Sequence, residues 1–146
     1  MDTNKLGEAL WCTHLDHVRA LEQLVEGSRA RGESGLLLYL FHVGQPMFPG
    51  TLTERLGLTT GRIANILKSL ERSGLVERTP DREDKRRVLV ALTPRGEALA
   101  RAQNQAAVDF HAKLVSRLSE AEAQQFIELI QRIALFIEDE GAQPRP

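Results

Sequence analysis

Apolar residues recur at helical spacing along most of this chain. Residues 4–26 carry two apolar stripes and predict one long helix. The stripes are Leu6, Leu10, His14, His17, Leu21 and Leu24 on one face, and Trp11, Leu15 and Val18 on the other. The next apolar run, SGLLLYLFHV, ends at Gly44 and predicts a buried helix of about ten residues. A turn-rich connector, GQPMFPG, follows it.

Two short helices are predicted next, and only the turn GLT separates them. Thr51 and Glu54 have the spacing of a capping box, and Gly57 suits the end of the first helix. Thr59 is a good N-cap for the second helix, and Gly74 follows the C-terminus of that helix. The inward stripe of the second helix is Ile63, Ile66, Leu67 and Leu70. Two short helices joined in this way indicate a helix-turn-helix.

The segments LVERT and RVLVAL have the composition of strands and flank a charged loop, so they predict a β-hairpin. Thr93 then caps a long helix, with Pro94 at its first position and an end near Leu118. Ser119 and Glu122 form another capping box, which opens a last helix containing the largely apolar FIELIQRIALFI. A hairpin directly after a helix-turn-helix makes a winged helix. The predicted fold is therefore mainly α with a small β-wing, and helices flank its winged helix-turn-helix core.

The composition fits one domain in a reducing compartment. The chain has 146 residues, of which 42% are hydrophobic and 27% charged, close to the globular average. Its one cysteine, Cys12, excludes an internal disulfide. No apolar run approaches the roughly 20 residues of a membrane span, and the N-terminus has no secretory pattern. We therefore expect a soluble, cytoplasmic protein that does not enter a membrane.

Positive charge is concentrated in the middle of the chain, although the formal net charge is -1. Residues 51–101 hold 11 Lys and Arg against 7 Asp and Glu, whereas the segments before and after are acidic. A basic centre between acidic flanks indicates a polyanionic partner for the middle alone.

The second helix of a helix-turn-helix enters the major groove of DNA with the residues near its N-terminus. Here the residues predicted to face DNA are Thr59, Thr60, Gly61, Arg62, Asn65 and Lys68. Arg62 and Asn65 are the candidates for reading bases, because arginine pairs with guanine and asparagine with adenine. Gly61 would let the backbone approach closely. Thr59, Thr60 and Lys68 suit phosphate contacts.

The hairpin loop supplies a second basic element. Its cations are Arg82, Lys85, Arg86 and Arg87. They can reach the adjacent minor groove, where narrow A·T-rich segments concentrate negative potential. Asp81 and Asp84 lie among them, and carboxylates repel DNA. We therefore expect these carboxylates to orient a neighbouring guanidinium group through a charge-assisted pair.

The run LGLTTGRIANILKSLERSGLVERTPDREDKRRVLVALTPRGEAL resembles the winged-helix core of MarR-type transcriptional regulators. The most specific parts are LERSGLVER, DREDKRR and LTPRG, and the flanking helices match in order and length. By this resemblance Asp84 and Arg86 fall on the Asp-x-Arg pair of the family wing, whose arginine enters the minor groove and whose aspartate supports it. The resemblance also implies a homodimeric repressor of nearby genes, released from DNA by a small molecule, an oxidant or a metal.

Apolar residues outside the winged helix predict a homodimer independently. The first and last helices carry more apolar surface than a winged helix can bury, and exposed patches of that size mark interfaces. We assign residues 1–31 and 94–142 to a helical dimerisation region, 32–93 to the winged helix-turn-helix, and 143–146 to a flexible tail. A twofold dimer would place its recognition helices about one DNA turn, roughly 34–36 Å, apart on a pseudo-palindromic site.

The sequence leaves the sensing site open. An effector pocket for an aromatic acid or a similar molecule is predicted around Trp11, His14, Phe41, Phe48 and Phe110. A metal site is the less favoured alternative, with His14, His17, His42 and His111 as nitrogen ligands and Asp109 beside them. Cys12 lies where thiol-sensing relatives carry a reactive cysteine, but no Lys or Arg lies nearby in the sequence to activate it. We expect Cys12 to be buried and inert, and we expect no bound cofactor.

Two other classes of function fit the sequence less well than a DNA-binding regulator does. An enzyme is disfavoured because the chain has no nucleophile elbow, zinc-protease motif, phosphate-binding loop or dinucleotide fingerprint. A protein-binding winged helix without DNA contact would not need Arg62, Asn65, Asp84 and Arg86 together. We therefore predict a sequence-specific, non-catalytic regulator that binds double-stranded DNA.

Overall fold

The computed structural model describes residues 2–17 and 32–142, and within them the side chains of residues 14, 138 and 140–142 are not described. The elements are α1 (Thr3–Asp16), α2 (Glu33–Val43), α3 (Pro49–Leu56), α4 (Thr60–Arg72), β1 (Val76–Pro80), β2 (Val88–Leu92), α5 (Pro94–Val115) and α6 (Glu120–Ala142). Helices and a single antiparallel hairpin confirm the predicted fold class. The chain divides into two compact units, Met1–Ala107 and Val108–Pro146.

The core of the first unit lies where α2, α3, α4 and the hairpin meet. The stripe predicted on α4 is buried there. Its partners in the core are Leu36, Leu37 and Leu40 of α2, Leu52 of α3, Leu75 and Val76 around the start of β1, Val90 of β2 and Ala100 of α5. Burial of one such aliphatic side chain stabilises the fold by about 1.5–3 kcal/mol. The core therefore holds α4 rigidly against the hairpin.

Local capping interactions set the two ends of α4. The Thr59 hydroxyl oxygen accepts a hydrogen bond from the Arg62 amide at 3.3 Å. At the other end Gly74 has a φ of 68°, and the Leu75 amide donates to the Leu70 carbonyl at 2.9 Å. This is the pattern of a helix that ends on a left-handed glycine. Both predicted ends of α4 are confirmed.

The predicted start of α3 is wrong. The helix begins at Pro49 with Phe48 as N-cap, so Thr51 lies inside the first turn and does not cap the helix with Glu54. Proline is favoured at the first helical position, because its missing N–H has no helical partner there and its φ is already helical. Gly57 ends α3 with a φ of 60°, as predicted.

The hairpin is attached to the preceding connector as well as to itself. β1 and β2 pair in antiparallel register, with Val76 opposite Leu92 and Pro80 opposite Val88. Met47 adds a backbone bridge on the free edge of β2, because its amide donates to the Val90 carbonyl at 2.9 Å and its carbonyl accepts from the Val90 amide at 2.8 Å. A two-stranded hairpin alone is marginal in water, so this bridge stabilises the wing. The connector had been predicted only as a turn.

The start of α5 is joined to the base of the wing. The Thr93 hydroxyl accepts from the Gly96 amide at 3.0 Å and donates to the Gly74 carbonyl at 2.7 Å. Thr93 thus caps α5, as predicted, and ties this helix to the end of α4. The helix ends at Val115, three residues before the predicted end at Leu118.

A reciprocal capping box opens α6. The Ser119 amide donates to a Glu122 carboxylate oxygen at 2.8 Å, and the Glu122 amide donates to the Ser119 hydroxyl at 3.4 Å. Hydrogen bonds from the Ser119 hydroxyl and then from its amide hold the pKa of the Glu122 carboxyl below its ordinary value. The capping box predicted from the sequence is confirmed.

The helix α1 contributes no described side chain to the core. Asp2 caps it by accepting from the Lys5 amide at 3.2 Å, and the helix ends at Asp16. Its predicted continuation to residue 26 lies outside the described residues. Leu10 and Trp11 are 70% and 59% exposed. Among the helices that the structure describes, none has the length and hydropathy to cross a membrane.

Large apolar side chains are also exposed throughout the second unit. They are Val108, Phe110, Leu114, Leu118, Phe126, Ile127, Leu129, Ile130, Ile133, Leu135, Phe136 and Ile137. Most of them lie on α6, which is apolar on more than one face, as the sequence predicted.

Candidate nucleic-acid interface

The N-terminal half of α4 presents a continuous polar surface. The six side-chain positions predicted to face DNA, Thr59, Thr60, Gly61, Arg62, Asn65 and Lys68, are all exposed. Their exposure follows from the helical period, because the apolar stripe of α4 occupies the opposite face. A methyl group added at Gly61 would meet no atom within 4 Å, so packing within the described protein does not require a glycine there.

At the tip of the wing, the Asp84 carboxylate lies beside Arg86. One carboxylate oxygen accepts from the Arg86 amide at 3.0 Å and lies 4.0 Å from the Arg86 Nε. The Arg86 side chain is 96% exposed. An exposed pair of this kind contributes little to stability, so its main effect is on the direction of the guanidinium group.

The loop between the strands is ordered by hydrogen bonds of its own backbone. The Asp81 amide donates to the Arg87 carbonyl and the Arg87 amide donates to the Asp84 carbonyl, both at 2.9 Å. The Asp81 carboxylate accepts from the Glu83 amide at 3.4 Å. Aspartate side chains commonly bond the backbone two residues on in turns. Both aspartates of the loop thus bind backbone amides, in addition to the contact of Asp84 with a guanidinium group.

Arg87 differs from the other loop cations in its surroundings. Its guanidinium carbon lies 3.7 Å from the centre of the Phe48 ring. Phe48 was predicted to line an effector pocket, but one face of its ring carries this guanidinium group. The contact joins residues 39 positions apart, and nothing in the sequence pattern indicated it.

Three further contacts hold the C-terminal end of α4 against its neighbours. Glu71 and Arg78 form an ion pair at 3.2 Å, which joins α4 to β1. Arg95 of α5 donates to the Ser73 carbonyl at 3.1 Å. With the bond from Thr93 to Gly74, these contacts fix α4 relative to the β-hairpin and to α5. Sequence reasoning had not identified this role for the charged pair, although opposite charges seven residues apart on a helix and the following strand were the available signal.

Phe41 lines a cavity of about 270 Å³ at the C-terminal end of α2. The other lining residues are Leu40, Gly44, Gln45, Pro46, Ala91, Leu92 and Glu97. Arg101 lies beside this cavity, with a 2.8 Å ion pair to Glu97 and its guanidinium carbon 5.4 Å from the centre of the Phe41 ring. The cavity therefore offers apolar walls and one paired carboxylate.

The described residues that line this cavity include none of the other residues predicted for the effector pocket. Trp11 is exposed on α1, and the side chain of His14 is outside the described residues. Phe110 belongs to the second unit, where its ring makes an edge-to-face contact with His111 at 5.5 Å and 88°.

Among the described residues there is no group of three or more His, Cys, Asp or Glu that could hold a metal. His17 and His42 are both exposed. Cys12 is also exposed, which corrects the expectation of a buried thiol. The physical reason is that every described side chain of α1 is exposed in the single chain, so the helix has no core of its own in which to bury a cysteine.

Comparison with known proteins identifies structures with a similar fold. The family model for the MarR family matches residues 29–87, which include α2, the helix-turn-helix, β1 and the wing loop. No curated protein sequence matches the chain. Three solved structures illustrate the likeness. FabT of Streptococcus pneumoniae, in complex with DNA, is 25% identical, with 94% of this chain and 99% of that chain covered and a TM-score of 0.66.

Wild-type MarR from E. coli, in its apo form, is 26% identical, with 88% and 96% of the two chains covered and a TM-score of 0.61. The PcaV transcriptional regulator from Streptomyces coelicolor, in complex with its natural ligand, is 26% identical, with 84% and 93% covered and a TM-score of 0.62. The family match lies over the winged helix, and the likeness of fold extends over most of the chain. Together they show that the winged helix of this chain is similar to the MarR family and that the chain has the fold of MarR-family transcriptional regulators.

Proposed function

We propose that this protein is a sequence-specific DNA-binding transcriptional regulator that acts as a homodimer on a pseudo-palindromic site. The observation that carries the proposal is that one rigid unit presents two exposed basic elements, the N-terminal half of α4 and the wing tip. The second helix of a helix-turn-helix enters the major groove, so we infer this role for α4 and a minor-groove contact for the wing beside it. The structure of FabT with DNA supports the same use of the fold.

The chemistry of α4 suits the reading of base edges. Arg62 and Asn65 lie three residues apart on the exposed side of the helix, so both can face the same groove. Arginine pairs with guanine and asparagine with adenine through two hydrogen bonds each. Thr59, Thr60 and Lys68 flank them and suit phosphate oxygens. Gly61 leaves an open surface where the backbone can approach DNA closely.

The wing supplies cations that the fold does not use for its own stability. Arg86 extends into solvent while Asp84 sets its direction. Arg82 and Lys85 are also exposed, on the same loop. Since exposed cations near a phosphate backbone release condensed counterions, these residues would add affinity that depends on salt.

Exposed apolar helices support the homodimer. Leu6, Leu10 and Trp11 on α1, and residues such as Ile133 and Phe136 on α6, expose about half of their surface or more in the single chain. Apolar patches of this extent are unfavourable in water and mark association surfaces. We infer that a second copy of the chain covers these apolar patches, because a pseudo-palindromic site requires two symmetric recognition helices.

The cavity at the end of α2 supports regulation by a small molecule. It lies between α2 and β2, and Phe41 and Leu92 contribute apolar walls. A ligand there would contact both the core and the strand that leads from the wing, so its binding could change the wing position. PcaV, which has a similar fold, was solved in complex with its natural ligand, and this supports ligand binding by the fold. We propose a repressor that such an effector releases from DNA, without a bound cofactor and without catalysis.

Selection of bound duplexes from a random library tests the proposal and defines the binding site. The selected duplex then serves to compare the parent with Arg86→Ala, and with Arg117→Ala as a control for the loss of an exposed arginine far from the wing in sequence. We expect the first variant to lose specific affinity at an unchanged melting temperature, and the control to bind as the parent does. Equal affinity of parent and Arg86→Ala would refute the role of the wing, and failure to select any duplex would refute the function.

A further inference from the structure

One wing cation has its charge placed against the protein itself. The Arg87 guanidinium carbon lies 3.7 Å from the centre of the Phe48 ring, well inside the roughly 6 Å range of a favourable cation–π contact. We propose that Arg87 is a positioning residue, which holds the wing at a fixed angle through Phe48, and that it does not bind a phosphate. The effect on DNA affinity rests on the proposed function, whereas the effect on the wing does not.

The contact with Phe48 gives the wing a second point of attachment. The first is the backbone bridge between Met47 and Val90. Arg87 lies three residues before Val90, which corresponds to about 10 Å along a strand. A hairpin held at one point can pivot, but a hairpin held at two separated points has a defined angle. Adjacent residues of one connector, Met47 and Phe48, provide both attachments.

Phe48 is well placed to transmit the position of the helix-turn-helix to the wing. It is half-buried and serves as the N-cap of α3, whose Leu52 is fully buried in the core beside α4. The ring therefore moves with the recognition helix. Through it, Arg87 fixes the distance between the base-reading face of α4 and the wing tip, where Arg86 lies one residue away.

The other cations of the loop lack such a partner among the described contacts. Arg86 is almost fully exposed beside Asp84, and both Arg82 and Lys85 are exposed. Arg87 as a whole also remains exposed, so exposure alone does not separate a positioning residue from a phosphate contact. In a positioning role, the effect of Arg87 on affinity would depend on Phe48. In a phosphate contact, Arg87 would change the dependence of affinity on salt.

The first test measures the order of the wing without DNA. Trypsin cleaves after Lys85 and Arg86, and Phe48→Leu removes the ring without changing any cleavage site. We expect cleavage at these two positions to become about 2- to 5-fold faster in Phe48→Leu, because the rate follows the population of the open wing. Phe48→Tyr keeps a ring and should be cleaved as the parent is. Phe41→Leu is the matched control, since its ring faces Arg101 and not the wing.

The second test measures affinity for the selected duplex against salt concentration. Phe48→Leu and Arg87→Met should each weaken binding by about 2- to 5-fold per wing, Phe48→Tyr should rescue it, and the double variant should be no weaker than either single one. The slope of log affinity against log salt should stay unchanged in Arg87→Met. A phosphate contact would instead reduce that slope by about 0.9 per subunit.

The outcomes separate the two proposals. Faster cleavage in Phe48→Leu but not in Phe41→Leu supports the positioning role, even if the parent binds no duplex and the proposed function fails. Unchanged cleavage in Phe48→Leu overturns the positioning role. It is also overturned if Arg87→Met reduces the salt slope while Phe48→Leu leaves affinity unchanged, because Arg87 would then be a DNA contact.

Discussion

Replacement of Gly96 by alanine tests how closely α5 approaches the base of the wing. Gly96 is buried in the first turn of α5. A methyl group there would overlap the carbonyl oxygen of Leu75 and lie 2.8 Å from its carbonyl carbon. These are backbone atoms held on both sides, since the Leu75 amide bonds Leu70 and the same carbonyl oxygen accepts from the Thr93 amide at 3.1 Å. They cannot move aside as the end of a flexible side chain would.

Two opposing effects set the magnitude. Forcing one extra methyl group into a close-packed site costs about 1–3 kcal/mol, and sometimes more. Alanine recovers up to about 1 kcal/mol, because it favours the helix and restricts the unfolded chain. The obstructing atoms belong to the backbone, which places the cost at the upper end of its range, so we expect Gly96→Ala to lower the free energy of unfolding by about 1–2 kcal/mol. For a chain of this size that corresponds to a fall in Tm of roughly 3–7 °C.

Thermal unfolding followed by circular dichroism gives the measurement, with all proteins at one concentration because the proposed dimer would make the Tm depend on concentration. Gly61→Ala is the matched control, since a methyl group there meets no atom within 4 Å. Its Tm should equal or exceed that of the parent. A Gly96→Ala variant that melts at or above the parent would refute the close approach of α5 to Leu75. An equal loss in Gly61→Ala would show that the effect does not arise from this contact.

Three further changes test the interface, the dimer and a helix cap. Lys68→Ala should reduce the slope of log affinity against log salt by about 0.9 per subunit if this residue binds one phosphate; an unchanged slope would remove it from the interface. Ile133→Asp should dissociate or unfold the dimer in sedimentation measurements, whereas a stable monomer with full DNA affinity would contradict a dimer through α6. The pKa of Glu122 is lowered in the folded protein, so its capping bond stabilises the protein fully at pH values above the ordinary pKa of a glutamate. This stabilisation is lost as the pH falls through the lowered pKa. The difference in Tm between the parent and Ser119→Ala should therefore shrink from pH 7 towards pH 3, and a constant difference would show that the carboxylate is not involved.

Features that depend on near neighbours in the chain were predictable. Thr59 and Gly74 bound α4 because a capping hydroxyl and a left-handed glycine act within one turn of the helix. The reciprocal bonds of Ser119 and Glu122 are equally local. The start of α3 was mistaken because two local signals competed, and Pro49 prevailed over Thr51.

Specific contacts between segments far apart in the chain were not predictable. The bridge between Met47 and Val90 joins a connector to a strand more than forty residues away, and no periodicity marks it. The burial expected for Cys12 failed for a related reason. An apolar stripe shows that a helix packs against another element, but it does not show whether that element belongs to the same chain. For α1 no described side chain finds one in the single chain.

If the wing binds DNA as proposed, a count of its charged residues overestimates its contacts with phosphate. The Asp81 carboxylate accepts from a backbone amide, and the Asp84 carboxylate does so too while it lies beside Arg86. Both acids therefore order the loop, and their repulsion of DNA is offset by the geometry that they give it. Arg87 in turn lies on Phe48, and in the proposed positioning role it would leave only part of the basic charge of the loop to reach phosphate. The salt dependence of binding measures that part directly, because each phosphate contact adds its own increment to the slope and a residue that acts through the fold adds none.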